Sequence, residues 1–313
     1  MQLVGSNPFA LTQPSGARGI HTLMPFGGKL YAGFGDWISN TGPVEITSWN
    51  GSSWTSEFTA KTESIVRYRV LNGKLFLPYI DPRTSYHNDF AVLEAGGWTE
   101  YRTGPGPNEA TLHTFDMTYF AGQYWGAGAA TDDNKASVHR SADYTSGSWT
   151  RSSFGTPNSE DRIYTIWQAD GNLYCRFSTG PGVVFRWNGS AWVDSGLSNT
   201  NAPGWNTETF GAKTAYTNAF NGGSADKVRT FDSTNGVQTW DNAGNTYALC
   251  VSGSYVYALA DAGTAFKQVL RSTDLVTWTP IALPPSDCES IAIWNNAVYV
   301  GTTNGAMYSH TLS

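Results

Sequence analysis

The chain has 313 residues, a formal charge of −6 and 14% charged residues, against about 25% charged in ordinary soluble domains. Its 34 Gly, 16 Tyr, 15 Phe and 13 Trp suit many short strands joined by tight turns and speak against long helices. No run of Lys or Arg offers a basic face for nucleic acid, and no window reaches the ~20 apolar residues of a membrane helix.

The opening residues, MQLVGSNPFALTQPSGARG, lack a basic start followed by an apolar stretch. The expectation is synthesis in a cytoplasm without a signal peptide, and no membrane insertion. Four strands then follow in order: His21–Phe26, Lys29–Gly35, Pro43–Trp49 and Trp54–Phe58. Gly27-Gly28 and Asn50-Gly51 between them supply the positive φ of two-residue hairpin turns. The same phrase returns at Asn72-Gly73, at Gly122 and at Asp170-Gly171, each just before an aromatic residue.

Those aromatics form a series: Tyr31, Phe76, Trp125, Tyr174, Tyr216, Tyr257 and Tyr299, at spacings of 45, 49, 49, 42, 41 and 42 residues. A period of ~40–50 residues with strand-like sequence marks a propeller, one four-stranded blade per repeat. A second series, Trp54, Trp98, Trp149, Trp192, Trp240 and Trp278, marks the fourth strands. Tyr299 has no such follower before the chain stops at Ser313. The expected fold is therefore an all-β, seven-bladed β-propeller of four-stranded antiparallel blades, closed by the N-terminal strand joining the C-terminal blade. One domain spans 1–313, with blades at 19–58, 63–103, 112–153, 160–196, 207–241, 245–283, and 289–313 plus 1–8. The three cysteines, Cys175, Cys250 and Cys288, are an odd number out of phase on the repeat, so no disulfide is expected.

Ser272-Thr273-Asp274-Leu275-Val276-Thr277-Trp278 resembles the Asp-box of sialidase-like propellers, Ser-x-Asp-x-Gly-x-x-Trp, without its Gly. Ser141-Ala142-Asp143 before Trp149, and Asp232 through Trp240, are looser copies. The resemblance implies a propeller scaffold; in that family the box is structural. The family's catalytic residues do not transfer, since the early Arg18-Gly19-Ile20 departs from its Arg-Ile-Pro start.

Site candidates lie where the sequence does not repeat. On the face carrying the loops between second and third strands, Asp36, Trp37 and Asp81 stand at strand ends, where Asp is ordinarily a turn former. The loop 81–89 adds Arg83, Tyr86 and His87, and the loop 198–208 carries Trp205 near its tip. Alignment on the aromatic series puts Thr22, Arg67, Asp116, Thr165, Thr207, Ala248 and Ser290 in one row and Leu23, Tyr68, Met117, Ile166, Glu208, Leu249 and Ile291 in the next. Strand side chains alternate faces, so the first row should line the central channel, with Arg67 and Asp116 as neighbours, and the second should pack between blades. Glu208 is a misfit, read as an irregular start to blade five. The scattered histidines show no metal-ligand spacing, and no nucleophile elbow or phosphate loop appears. No catalytic residue, metal or cofactor is assigned. The expected function is a non-enzymatic binding module of a phage tail or capsid surface that recognises host carbohydrate; the overall style of the chain resembles such proteins. Its partners would be a glycan and other virion proteins, with no nucleic acid. The alternatives are a glycan-cleaving enzyme and a protein-interaction platform.

Overall fold

The computed structural model describes residues 1–36, 38, 41–81, 89–104, 111–130, 135–155, 162–177, 183–198, 200–219 and 226–312. Within them the chain forms seven antiparallel sheets of four strands, each packed on the next around a ring. Blade one runs Thr22–Phe26, Lys29–Gly33, Val44–Trp49 and Trp54–Ala60, close to the strands read from sequence. The innermost strands of blades two to six are Arg69–Leu71, Thr111–Phe120, Ile166–Ala169, Thr207–Phe210 and Thr246–Ser252. Blade seven holds Cys288–Trp294, Ala297–Thr302 and Ala306–Thr311, and Gln2–Ser6 pairs antiparallel with the last of these as its outer strand. No described helix is long and apolar enough to cross a membrane.

The repeated residues build this frame. The inner hairpins turn on left-handed backbone, as at Asn72 (φ 48°) and Gly73 (φ 77°), which lets the turn follow the twist of its strands. Six of the seven marker aromatics are buried in second strands, among them Tyr31, Phe76 and Trp125 at 2%, 0% and 1% exposure. Leu23, Tyr68, Met117, Ile166 and Ile291 are buried too, and Tyr68 donates its hydroxyl to the Ala32 carbonyl of the neighbouring blade at 3.2 Å. On the outer turns a side chain folds its own backbone: Asn50 Oδ1 accepts from the amides of Ser52 and Ser53, both at 2.9 Å. Asp274 Oδ1 accepts from Val276 and Thr277 at 2.9 and 2.7 Å, and Trp278 Nε1 donates to the Leu275 carbonyl at 3.0 Å. The three cysteines are free thiols.

The seam between blades seven and one holds a buried charge pair. His21 Nε2 lies 2.8 Å from the Gly35 carbonyl and must donate to it, while Nδ1 sits 3.2 Å from Glu289 Oε1. Gly19 makes the approach possible, since a Cβ there would stand 2.2 Å from that oxygen. Burial by itself lowers the His21 pKa, but the Glu289 carboxylate, helped by Gly35 and Asp36, outweighs it and leaves the pKa raised above 6.5.

Two outcomes are expected. Removal of residues 1–6 should lower the melting temperature by at least about 5 °C in scanning calorimetry, because it strips the outer strand of blade seven and leaves a bare edge. Because the His21 pKa is raised on folding, its stabilisation is fully present below pH 6.5 and fades as pH rises through the folded value. Glu289→Gln should cost about 3 kcal/mol in urea unfolding at pH 6, and its difference from the parent should shrink toward pH 9.

Candidate functional site

Asp116 enters from the innermost strand of blade three and is wholly buried. Its Oδ1 accepts from Arg69 Nε at 2.7 Å and from the Met117 amide at 2.9 Å. Its Oδ2 accepts from Arg67 Nη1 at 2.8 Å, Arg69 Nη2 at 3.1 Å, Thr165 Oγ1 at 2.7 Å and the Ile166 amide at 3.2 Å. Arg69 continues past it to blade five, donating to the Thr207 carbonyl at 2.9 Å and to Thr207 Oγ1 at 2.7 Å. Blades two and five are not neighbours, so this guanidinium reaches across the channel. Burial opposes ionisation of Asp116, but the two guanidiniums more than offset it and hold its pKa down at about 2.

Glu208 belongs to the same layer. In six blades the marker aromatic pairs with the residue seven before it, as in Met24 with Tyr31, Arg69 with Phe76 and Thr118 with Trp125. In blade five the residue in that place is Ala215, paired with Glu208, and Tyr216 lies one position further on, opposite Thr207. The aromatic is displaced by one residue while the strand Thr207–Phe210 is regular, which corrects the reading of an irregular start. A one-residue slip exchanges the two faces, so Glu208 shares the face of Arg69. Burial, reinforced by Asp116 and opposed by Arg69 and Arg67, raises its pKa. The layer floors a cavity of about 390 Å³ toward the hairpin end of the channel, lined by Arg69, Thr118, Gln168, Glu208 and Thr209 among others.

Toward the loop face the same layer carries an aromatic pocket. Trp205 lies over Arg67, with the guanidinium carbon 5.1 Å from the ring centroid. Tyr164 stacks on Trp205 at 4.8 Å and 29°, and Phe115 meets Tyr164 edge-on at 4.6 Å. These three, with Ile80, Asp81, His113 and Arg162, enclose about 230 Å³. His113 is stacked on Phe115 at 5.3 Å and 17°. Its Nδ1 lies 2.7 Å from the Ile80 carbonyl and 3.4 Å from Asp81 Oδ1. Gly128 admits this strand, because a Cβ there would fall 1.6 Å from the His113 carbonyl oxygen. Burial lowers the His113 pKa despite Asp81, and burial raises that of Asp81 despite His113 and Arg162.

Of the residues singled out from sequence, Arg67, Asp116, Asp81 and Trp205 are brought together on blades two to five. Asp36 is elsewhere, on blade one, where its Oδ1 accepts from the Ile38 amide at 2.8 Å and shapes a turn. Trp37, Arg83, Tyr86 and His87 lie outside the described residues. Phe115 and Tyr164 were not read as site residues. Each immediately precedes the channel residue of its blade, Asp116 and Thr165, a place that strand alternation assigns to the packed face. Among the described residues no three His, Cys, Asp or Glu side chains are grouped as metal ligands.

No family model and no curated protein sequence matches the chain. Solved structures do. Virginiamycin B lyase from Staphylococcus aureus superposes with a TM-score of 0.63 at 13% identity, covering 100% of this chain and 98% of that one. The WD40 propeller domain of Doa1 gives 0.58 at 10% identity, covering 98% and 95%. YCF48 bound to a D1 peptide gives 0.54 at 13% identity, covering 100% and 94%. At these identities the likeness is one of fold, a β-propeller.

Asp116→Ala leaves two buried guanidiniums without their carboxylate and should cost about 3–5 kcal/mol in urea unfolding at pH 7. In the parent the Asp116 pKa is depressed on folding. Its contribution is therefore present above pH 3.8 and lost as pH falls through about 2, so the variant and the parent should converge in stability over that range.

Proposed function

We propose that the loop face is a non-enzymatic binding surface for carbohydrate, carried by a virion component of the phage tail or capsid-surface kind that attaches to a host. The observation that supports this is the Tyr164–Trp205 stack, closed by Phe115 and rimmed by Asp81, His113 and Arg162. Aromatic faces cover the apolar faces of sugar rings, while short polar groups bond the hydroxyls. The Tyr164–Trp205 wall is held in place before any ligand arrives, because Trp205 rests on an arginine that Asp116 fixes. Preorganisation of this kind favours affinity. Arg83, Tyr86 and His87, which follow Asp81 in sequence, are proposed as further contacts. The resemblance of the Ser272–Trp278 turn to the Asp-box, together with its Asp274-centred hydrogen bonds, accords with a sialidase-like scaffold.

The binding reading is preferred to glycan cleavage because hydrolysis of a glycoside uses a pair of carboxylates, and Asp81 is the one carboxylate among the described residues of this pocket. A protein-interaction platform is the second reading. It is favoured by two exposed apolar side chains on loops between second and third strands, Ile38 at 78% and Phe266 at 72%, and by the peptide bound to YCF48.

A glycan array probed with the purified protein should give saccharide hits that Trp205→Ala weakens at least about tenfold. An array with no hit refutes the carbohydrate reading and leaves the platform. Mass spectrometry of purified particles should find the chain among virion proteins; its absence there refutes the attachment role.

A further inference from the structure

The His113 imidazole has a fixed hydrogen-bonding sense. Nδ1 lies 2.7 Å from a carbonyl oxygen, which only accepts, so Nδ1 bears the proton. In the neutral ring Nε2 is then a bare acceptor. Nε2 has no hydrogen-bond partner among the described residues, and the ring lines the aromatic pocket. The ring is further held by its stack on Phe115. The pocket thus presents one oriented acceptor beside an aromatic wall.

Among the described residues, one carboxylate and one guanidinium line the pocket with that acceptor. From the strand end of blade two comes Asp81, and from the segment entering blade four comes Arg162. Tyr164 and Trp205 complete the wall uncharged. Beneath Trp205, Arg67 and Arg69 are matched by Asp116 and Glu208. A sugar hydroxyl finds in Nε2 an acceptor already oriented. Resting on the carbohydrate reading above, we propose that His113 Nε2 accepts a hydroxyl of the bound sugar, so that the pocket loses its ligand when His113 is protonated. Protonation turns Nε2 from acceptor to donor and adds a positive charge beside Arg162. Burial holds the neutral ring down to below pH 6.5, so binding is retained at neutral pH.

The test uses the full chain with five probes: methyl β-glucoside, methyl β-galactoside, methyl α-mannoside, glucuronate and glucosamine. Binding is read by saturation-transfer NMR and tryptophan fluorescence from pH 7.5 to 4.5. The saccharide that binds best should lose affinity on acidification with a midpoint below 6.5. His113→Phe should weaken it about tenfold, the worth of one hydrogen bond, and abolish the pH dependence. Nitrogen-15 NMR of the unaltered protein should show the Nδ1–H tautomer, a readout independent of how the variant folds. Tighter binding in acid, an unchanged His113→Phe affinity or an Nε2–H tautomer each overturn this inference while leaving the carbohydrate reading intact. Absence of binding by every probe here and every saccharide on the array overturns the carbohydrate reading itself.

Discussion

A single carboxylate ties four blades together. Asp116 comes from blade three, takes both guanidiniums of blade two, and bonds Thr165 and the Ile166 amide of blade four, while Arg69 goes on to blade five. A buried carboxylate is costly unless paired and hydrogen-bonded, and here both oxygens are bonded. The geometry must then be held closely, because a half-satisfied network of this kind is worse than an apolar core. The layer therefore fixes the spacing and rotation of four consecutive blades at the channel, where the loops of those blades converge.

The aromatic pocket inherits that rigidity. Trp205 comes from the long segment before blade five, and what anchors it is Arg67 beneath and Tyr164 and Phe115 beside it. A tryptophan on a long loop would otherwise lose much conformational freedom on binding a ligand. Stacked on a cation that is itself clamped by Asp116, it has lost that freedom already. The same clamp separates the pocket from the cavity at the hairpin end of the channel, so the two ends of one channel differ in character. One is aromatic and lipped by His113; the other is lined by Gln168, Thr209 and Glu208.

The architecture was legible because it is written by repetition. Second-strand aromatics recur in all seven blades and hairpin glycines and fourth-strand tryptophans in six, and the missing tryptophan after Tyr299 pointed to Gln2–Ser6 as the closing strand. The Arg67–Asp116 contact was legible for the same reason, as two charges at one phase. What escaped was whatever broke phase. Tyr216 is displaced by a single residue on its strand, and because side chains alternate, that slip carried Glu208 to the wrong face in an alignment anchored on aromatics. Phe115 and Tyr164 escaped for a different reason. An aromatic beside a strand in a chain this rich in aromatics has no sequence mark separating a core position from a pocket wall; only burial against Trp205 distinguishes them. Arg69 reaches further than its spacing shows, because a long side chain can cross a channel that backbone periodicity cannot see.

Because the pocket draws on four blades, its integrity is a property of the closed ring. Arg69 can meet Thr207 only if the curvature accumulated over blades two to five has the right value, and that curvature is set by how many blades share the circle. The circle is completed on the far side, where Gln2–Ser6 adds the outer strand to blade seven and His21 meets Glu289 across the seam with blade one. Neither group touches the pocket. Yet opening the seam relaxes the inter-blade angle everywhere, and a layer of charges bonded at 2.7 to 3.1 Å has little tolerance for such change. The physical consequence is a coupling between ring closure and pocket geometry: the strand and the seam pair that complete the circle bear, through the inter-blade angles, on the separation of Trp205 and His113.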